Sequence, residues 1–210
     1  MNRSGEWANN LTGSAQYKSF KPAALPPDPA LEINSDMVKK LVEANRELVK
    51  LDTASKLIPN VELFISMYVR KEALISSQIN QIEYYDRISE VRRNGNYEQW
   101  VAFFLEAVSA AAKDSLKTIE SLTDLHEKNL ERLPKTTRKR DNLRALFDYV
   151  EQYPIIEIKK TSEAMKVSYN TVSAAVKKLV ELGILKETTN ASRNRVFAYE
   201  EYLKILRKDT

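Results

Sequence analysis

The sequence of 210 residues contains no cysteine, which excludes disulfides and thiolate metal sites. It has one histidine and four glycines, too few for a nucleotide-binding glycine loop or for a credible histidine-based catalytic triad. No apolar run approaches the roughly 18 residues that a membrane span needs, and the N-terminus has no apolar signal region. We therefore expect a cytoplasmic protein without a membrane partner.

The residues that are present have the composition of a globular protein, with 43% hydrophobic and 30% charged residues. The net charge of +4 is unevenly distributed. From Lys135 to the end, 16 Lys and Arg stand against 10 Asp and Glu, a net of +6, whereas the preceding part has a net of −2. A basic half is typical of nucleic-acid binding, although a solvated surface of this size could carry the same excess.

The C-terminal stretch IKKTSEAMKVSYNTVSAAVKKLVELGIL, which begins at Ile158, predicts a short helix, a tight turn and a longer helix. Ser168 is the expected N-cap of the longer helix, and Gly183 is expected to end it in the left-handed conformation. Each helix has one apolar stripe, formed by Ile158, Ser162 and Met165 in the first and by Val172, Val176, Leu179 and Val180 in the second. Two strands follow, Ile184–Glu187 and Val196–Tyr199, so the pattern predicts a winged helix-turn-helix.

In such modules the second helix lies in the DNA major groove and other groups hold phosphates. Asn170 is suited to adenine, and the lysines and arginines to phosphates. The predicted DNA-binding residues are Ser168, Tyr169, Asn170, Thr171, Ser173, Lys177, Lys178, Arg193 and Arg195. Double-stranded DNA is thus the expected partner. Because winged helices also serve protein contacts and dimerisation, a protein partner and a homodimer remain open.

The N-terminal part begins with a polar tail over residues 1–16, which we expect to be disordered or loosely attached. A proline-rich arm follows, and Ser35 is the expected cap of a helix to about Leu51 that packs against a second helix from about Asn60. The expected buried face of the first helix consists of Val38, Leu41, Val42, Asn45, Leu48 and Val49.

The dipeptide Asn94-Gly95 predicts a break before the longest helix, which would run about 50 Å to Leu133. Pro134 then marks a domain boundary. The predicted fold class is mainly α, with a helical N-terminal bundle over residues 17–134 followed by a winged helix-turn-helix domain with a small β-wing over residues 135–210.

Four stretches, in order along the chain, carry a family resemblance. They are YxxFxPxxLPP from Tyr17, KEALISSQI from Lys71, EYYDRISEVRRNGNYEQWVAFFLEAV from Glu83 and RVFAYEEYLKIL from Arg195. Together they resemble the Fic family, bacterial proteins that transfer AMP from ATP to target hydroxyls (AMPylation). The resemblance covers nearly all of the chain after residue 16.

The family's catalytic signature HPFxxGNGR supplies a histidine base, an acid for Mg²⁺ and a glycine-rich phosphate cradle, and it is not found in this sequence. ATP and Mg²⁺ are therefore expected only for an intact family member. The sole histidine, His126, is interpreted as a surface or inter-helix residue. Ser76 and Ser77 resemble a remnant of the family's inhibitory motif, and the chain is predicted to carry a natural or engineered deletion between Ile79 and Asn80.

These observations predict a non-catalytic, Fic-derived protein with no catalytic residues that acts as a DNA-binding regulator or adaptor through its winged helix. One alternative is an adenylyltransferase family member that has lost its active site. Another is a dimerisation or protein-interaction module.

Overall fold

The computed structural model describes residues 2–12, 15–67, 81–134, 139–189 and 195–207. Its first elements are strands β1 (Gly5–Thr12) and β2 (Ala15–Pro22), helix α1 (Ser35–Ser55), helix α2 (described over residues 61–67), α3 (Gln81–Asn94) and α4 (Tyr97–Arg132). The later elements are α5 (Lys139–Gln152), β3 (Ile155–Glu157), α6 (Ile158–Met165), α7 (Tyr169–Glu181), β4 (Lys186–Glu187), β5 (Val196–Ala198) and α8 (Glu200–Leu206). The fold is mainly helical, as predicted, and also contains two small sheets. None of the described helices combines the length and apolarity that a bilayer span requires.

The chain forms two compact units. The first comprises Met1–Leu51 and Ala73–Asp114, and the second comprises Asp52–Glu72 and Ser115–Thr210. These bounds differ from a boundary at Pro134, because α1 and α4 each contribute residues to both units. The second half of α4 belongs with the C-terminal helices through its buried side chains Ile119, Leu122, Leu125 and Asn129.

The first unit opens with a β-hairpin, which differs from the expected loose tail over residues 1–16. Strands β1 and β2 pair antiparallel over eight residue pairs, from Gly5 with Pro22 to Thr12 with Ala15. The chain before the hairpin is held by the α3–α4 turn, where Arg3 Nε donates to the Gly95 carbonyl oxygen at 2.5 Å. Backbone pairing and side-chain-to-backbone hydrogen bonds thus order a polar segment. Because such bonds need no periodic pattern of apolar residues, the sequence did not predict the hairpin.

The turn between α3 and α4 is the break predicted at Asn94-Gly95, and Gly95 has a φ of +68°. Beside it, Glu98 forms an ion pair with Arg3 and accepts a hydrogen bond from the Glu32 N–H at 3.0 Å. Partial burial raises the pKa of Glu98, but the hydrogen bonds from Glu32 and Arg3 lower it more, so its pKa lies below the ordinary value. The 36-residue helix α4, roughly 54 Å long, thus begins at a turn fixed by charge-assisted contacts.

Helix α1 differs from its prediction in its cap. Asn34, not Ser35, supplies the capping side chain, because Asn34 Oδ1 accepts from the Met37 N–H at 2.9 Å. The helix also continues to Ser55 and does not end near Leu51.

The predicted buried face of α1 is wrong, because that face is exposed to solvent. The exposed fractions are 45% for Val38, 52% for Leu41, 60% for Val42, 46% for Leu48 and 58% for Val49. The buried residues of α1 are Met37, Ala44 and Glu47. On its inner side α1 lies beside α4, where Lys40 Nζ is 3.0 Å from Glu106 Oε1 and Glu43 pairs with Lys113.

The buried carboxylate of Glu47 is compensated within α1. Lys50 Nζ donates to it at 3.0 Å, and Arg46 Nε donates at the same distance. The hydrogen bond from Lys50, followed by that from Arg46, lowers the pKa of Glu47 despite its burial. A charged residue therefore shares the inner side of the helix with Met37 and Ala44, while the valines, Leu41 and Leu48 face outward.

In the second unit, the helical spacing of Leu143, Leu146, Phe147 and Val150 in the sequence predicts one buried stripe on α5. All four residues are buried, which confirms that prediction. A three-stranded antiparallel sheet has the order β3-β5-β4, with Ile155 opposite Ala198 and Lys186 opposite the same residue. Strand β3 was not predicted, since three residues after Pro154 are too few to show an alternating pattern.

The buried tyrosines of α8 and the residue before it predict a loss of stability at high pH. Burial raises the pKa of Tyr202 to about 12 and that of Tyr199 further. Because an unfolded tyrosine titrates near about pH 10, the stabilisation is fully present below about pH 10 and is lost as the pH rises through the folded value. We expect the urea midpoint of the wild-type protein to fall above about pH 10 and that of Tyr202→Phe to fall less.

The exposed Tyr17 provides the matched control, so Tyr17→Phe should follow the wild-type curve. Parallel pH profiles for the wild-type protein and Tyr202→Phe would contradict this assignment.

Candidate nucleic-acid interface

The turn between α6 and α7 sets the direction in which α7 begins. Lys166 ends α6 in the left-handed conformation, with φ 55° and ψ 39°, and the Val167 N–H donates to the Ser162 carbonyl at 3.1 Å. Ser168 Oγ then accepts from the Thr171 N–H at 3.2 Å. The prediction that Ser168 caps this helix is confirmed.

The end of α7 is equally well defined. Gly183 has a φ of +69°, its N–H donates to Val180 O at 2.9 Å, and the Ile184 N–H donates to Leu179 O at 2.9 Å. These two bonds form a Schellman motif, which requires a left-handed residue at the glycine position. The predicted role of Gly183 is confirmed. Helix α7 is thus fixed at both ends.

The inner face of α7 agrees with the predicted stripe except at one residue. Val172, Val176 and Leu179 are 2%, 1% and 0% exposed, whereas Val180 is 37% exposed. Val180 follows Leu179 directly, so a rotation of about 100° carries its side chain away from the core. In α6, Met165 is only half-buried, and Thr161 is buried with Ile158 and Ser162.

The outer face of α7 presents most of the predicted DNA-binding residues. Exposed among them are Ser168, Tyr169, Asn170, Lys177 and Lys178, and half-buried are Thr171 and Ser173. Asn170 and Lys177 are seven residues apart and lie on the same side of the helix, opposite the buried Leu179. Sequence reasoning missed Ala174, which is exposed between them; its spacing of four residues from Asn170 is the signal that could have identified it.

Arg195, which precedes strand β5, is paired with Glu187. Arg195 Nε donates to Glu187 Oε1 at 2.6 Å, a second bond joins Nη2 to Oε2, and the guanidinium lies 5.2 Å from the Phe197 ring centroid. The hydrogen bond with Glu187 is the main cause that raises the pKa of Arg195, and the nearby Tyr169 phenol contributes to the same rise. Arg195 therefore interacts electrostatically with Tyr169, the first residue of α7. Arg193 lies outside the described residues.

The two lysines of the outer face differ in their partners. Lys178 Nζ lies 3.1 Å from Glu181 Oε2. Within the described part of the chain, Lys177 has no carboxylate within 4.0 Å. Lys177 is therefore the basic side chain of α7 that is least engaged with its own protein.

One segment of the chain matches a known family model. Residues 38–94 match the model of the Fic/DOC family N-terminal region. This segment, which includes residues of both units, is similar to that region. No curated protein matches the chain.

The Fic/DOC N-terminal region begins in α1 and ends at Asn94, where α3 ends. It includes both sides of the predicted junction between Ile79 and Asn80. Residues 80–94, which the sequence resemblance assigned to a later part of the family's chain, thus fall inside the match. The junction and the remnant residues Ser76 and Ser77 lie outside the described residues, so the deletion stays a prediction.

The single histidine of the chain connects two helices. His126 Nδ1 on α4 lies 2.8 Å from Glu151 Oε2 on α5, and its ring centroid is 5.5 Å from that of Phe147. Burial raises the pKa of Glu151, and His126 opposes that rise only in part. This position fits the interpretation of His126 as an inter-helix residue.

The family signature HPFxxGNGR holds the phosphates of ATP at a glycine-rich turn that follows its histidine. The described glycines do not provide one. A side chain added at Gly5, Gly95 or Gly183 would meet atoms of Lys21, Asn2 or Arg132, respectively, and none of these turns adjoins His126 in the chain. The described residues therefore do not fit the nucleotide and its metal, and we derive no chemical step through them.

The left-handed residues on either side of α7 give a stability prediction. Gly183→Ala should destabilise the protein by about 1 kcal/mol, since alanine is strained at positive φ. Lys166→Gly should stabilise it by about 0.5 kcal/mol, because relief of the same strain exceeds the entropy that glycine adds to the unfolded chain. Urea unfolding measures both changes.

Lys177→Gly is the matched control, because the same substitution in regular helix should cost about 1 kcal/mol. If Lys166→Gly destabilises the protein as much as Lys177→Gly does, the left-handed turn is not the source of strain.

Proposed function

We propose that residues 139–207 contain a winged helix-turn-helix module that binds double-stranded DNA, and that the chain is a non-catalytic cytoplasmic regulator or adaptor. The observation that supports this proposal is the outer face of α7. It is polar, capped at Ser168 and turned away from the core, and Tyr169 at its start interacts electrostatically with the basic side chain of Arg195.

The chemistry of that face suits a major groove, which admits one α-helix. The Asn170 amide can bond adenine N6 and N7 together, and the Ser173 hydroxyl can bond a base edge or a phosphate. Lys177, Lys178 and Arg195 would neutralise phosphates and hold the helix in register. The predicted contact of Arg193 belongs to the same set.

The ion pairs of Arg195 with Glu187 and of Lys178 with Glu181 do not prevent such contacts. Both pairs lie at the surface, with about half of each basic side chain exposed, and exposed ion pairs contribute little to stability. A phosphate can therefore replace either carboxylate at small cost.

The non-catalytic part of the proposal rests on the sequence and on His126. HPFxxGNGR is not found in the sequence, and His126 is bonded to Glu151. The alternative is an adenylyltransferase family member that has lost its active site, for which the match over residues 38–94 is the support. On either account we propose no ATP or Mg²⁺ requirement.

Removal of base-reading and phosphate-binding residues should have different effects on DNA affinity. Once a preferred duplex has been selected from random sequences, Asn170→Ala should cost about 1–3 kcal/mol on that site and little on random DNA. Arg195→Ala should weaken binding to every duplex and reduce the slope of log K against log salt by about one. Fluorescence anisotropy at several salt concentrations measures both effects.

Lys56→Ala is the matched control for charge loss, because Lys56 is exposed and lies outside the module. The salt slope of this variant should equal that of the wild-type protein. Absence of salt-dependent duplex affinity in the wild-type protein would overturn the DNA proposal and favour a protein-contact module.

The absence of AMP transfer is tested separately. The purified chain, incubated with labelled ATP, Mg²⁺ or Mn²⁺ and cell lysate, should label no protein above a heat-inactivated control, since the base and the phosphate cradle are lacking. Transfer that depends on the native chain would show that the protein is an enzyme.

A further inference from the structure

Helix α1 exposes five of its apolar side chains and buries one carboxylate. An amphipathic helix of a globular protein turns its apolar stripe toward the core, yet α1 buries the carboxylate of Glu47 at 3% exposure. The side chains that form its apolar stripe, Val38, Leu41, Val42, Leu48 and Val49, are 45–60% exposed. Contiguous exposed apolar side chains of this kind mark a surface for a partner.

The same stripe is a heptad repeat. Residues 38–44 (VKKLVEA) and 45–51 (NRELVKL) place leucine at the fourth and valine at the fifth position of each heptad. With Val38 and Asn45 at position a, Leu41 and Leu48 occupy position d. A spacing of 3.5 residues keeps these side chains against one straight partner helix. We call the surface formed by Val38, Leu41, Val42, Asn45, Leu48 and Val49 the α1 seam.

We propose that the α1 seam binds the α1 seam of a second copy of this chain as a parallel, two-stranded coiled coil. A β-branched residue at position a combined with leucine at position d favours two strands. Asn45 is the single polar residue in the seam. In a parallel pair the two Asn45 amides meet across the axis, and since each amide both donates and accepts, they complete one another and fix the register.

The charges around the seam agree with this pairing. The basic residues Lys39 and Arg46 occupy position b, away from the partner, so they do not oppose their own copies. Val42 and Val49 at position e widen the apolar contact. Asp52, at the next position a, pairs at 3.8 Å with Lys56, the residue that follows α1, and ends the apolar repeat.

Two heptads make a small interface, below the about 1,200 Å² at which standard interfaces begin. The dimer is therefore weak and depends on protein concentration. The surface lies in residues 38–49 and shares no residue with the proposed DNA-binding face, so this inference stands independently of the proposed function.

Single cysteines test the register, because the chain has no cysteine of its own. Under mild oxidation, Val38→Cys and Leu48→Cys should each form a disulfide-linked dimer, since like residues at positions a and d face each other about 6 Å apart, within disulfide range. Lys39→Cys, exposed at position b, should link far more slowly. Links only in a mixture of the first two variants would show antiparallel packing and overturn the proposal, as would equal linking of Lys39→Cys.

Sedimentation provides the second readout. The full chain should change from monomer to dimer as its concentration rises to about 200 μM, a range suited to weak interfaces. Leu48→Glu should remain monomeric with unchanged helical circular dichroism, and Ile65→Glu, at an exposed apolar residue outside the seam, should dimerise like the wild-type protein. A wild-type chain that is still monomeric at that concentration, or a dimer that Leu48→Glu does not affect, would overturn the proposal.

Discussion

The second unit depends on a buried hydrogen bond between α4 and the residue that precedes α8. Asn129 Nδ2 donates to Tyr199 Oη at 2.6 Å, and both side chains are fully buried. Arg132 Nη1 in turn donates to Asn129 Oδ1 at 2.8 Å, while its other nitrogen donates to the Leu182 carbonyl at the end of α7. These consecutive hydrogen bonds thus join α4, Tyr199 at the end of the sheet and the C-terminus of α7. Removing one member would leave a buried polar atom unsatisfied, which costs about 1–3 kcal/mol.

This arrangement explains how the unit can present a polar helix face without loss of stability. The inner side of α7 is fully buried, its start is capped by Ser168, and its end is held by the Gly183 turn and by Arg132. The outer side is exposed to solvent. Preorganisation of this kind reduces the entropy lost on binding. In the first unit, by contrast, the exposed side of α1 is apolar, which is why the two units suggest different kinds of partner.

Local signals in the sequence predicted much of the second unit. The cap at Ser168, the glycine stop at Gly183 and the stripe of α5 each follow from residues that are neighbours in the chain. The exposed face of α1 could not be predicted, because the 3.6-residue period shows which side chains share a face but not whether that face meets the protein's own core. The inner side of α1 is the side on which Lys40 and Glu43 pair with α4, and these pairs join residues about 70 positions apart, which no local pattern shows. The order of the N-terminal hairpin escaped prediction for a similar reason: its anchor, Arg3, binds a turn that is distant in sequence.

The central claim is that the outer face of α7 and the adjacent strand contact DNA. A titration of the ¹⁵N-labelled full chain with its selected duplex, followed by amide chemical shifts, tests this most directly. The account predicts that shifts concentrate in Ser168–Lys178 and around Glu187 and Arg195, become weaker at high salt, and leave Val38–Val49 unchanged. Shifts that are absent at low salt, or that fall mainly on α1, would contradict it.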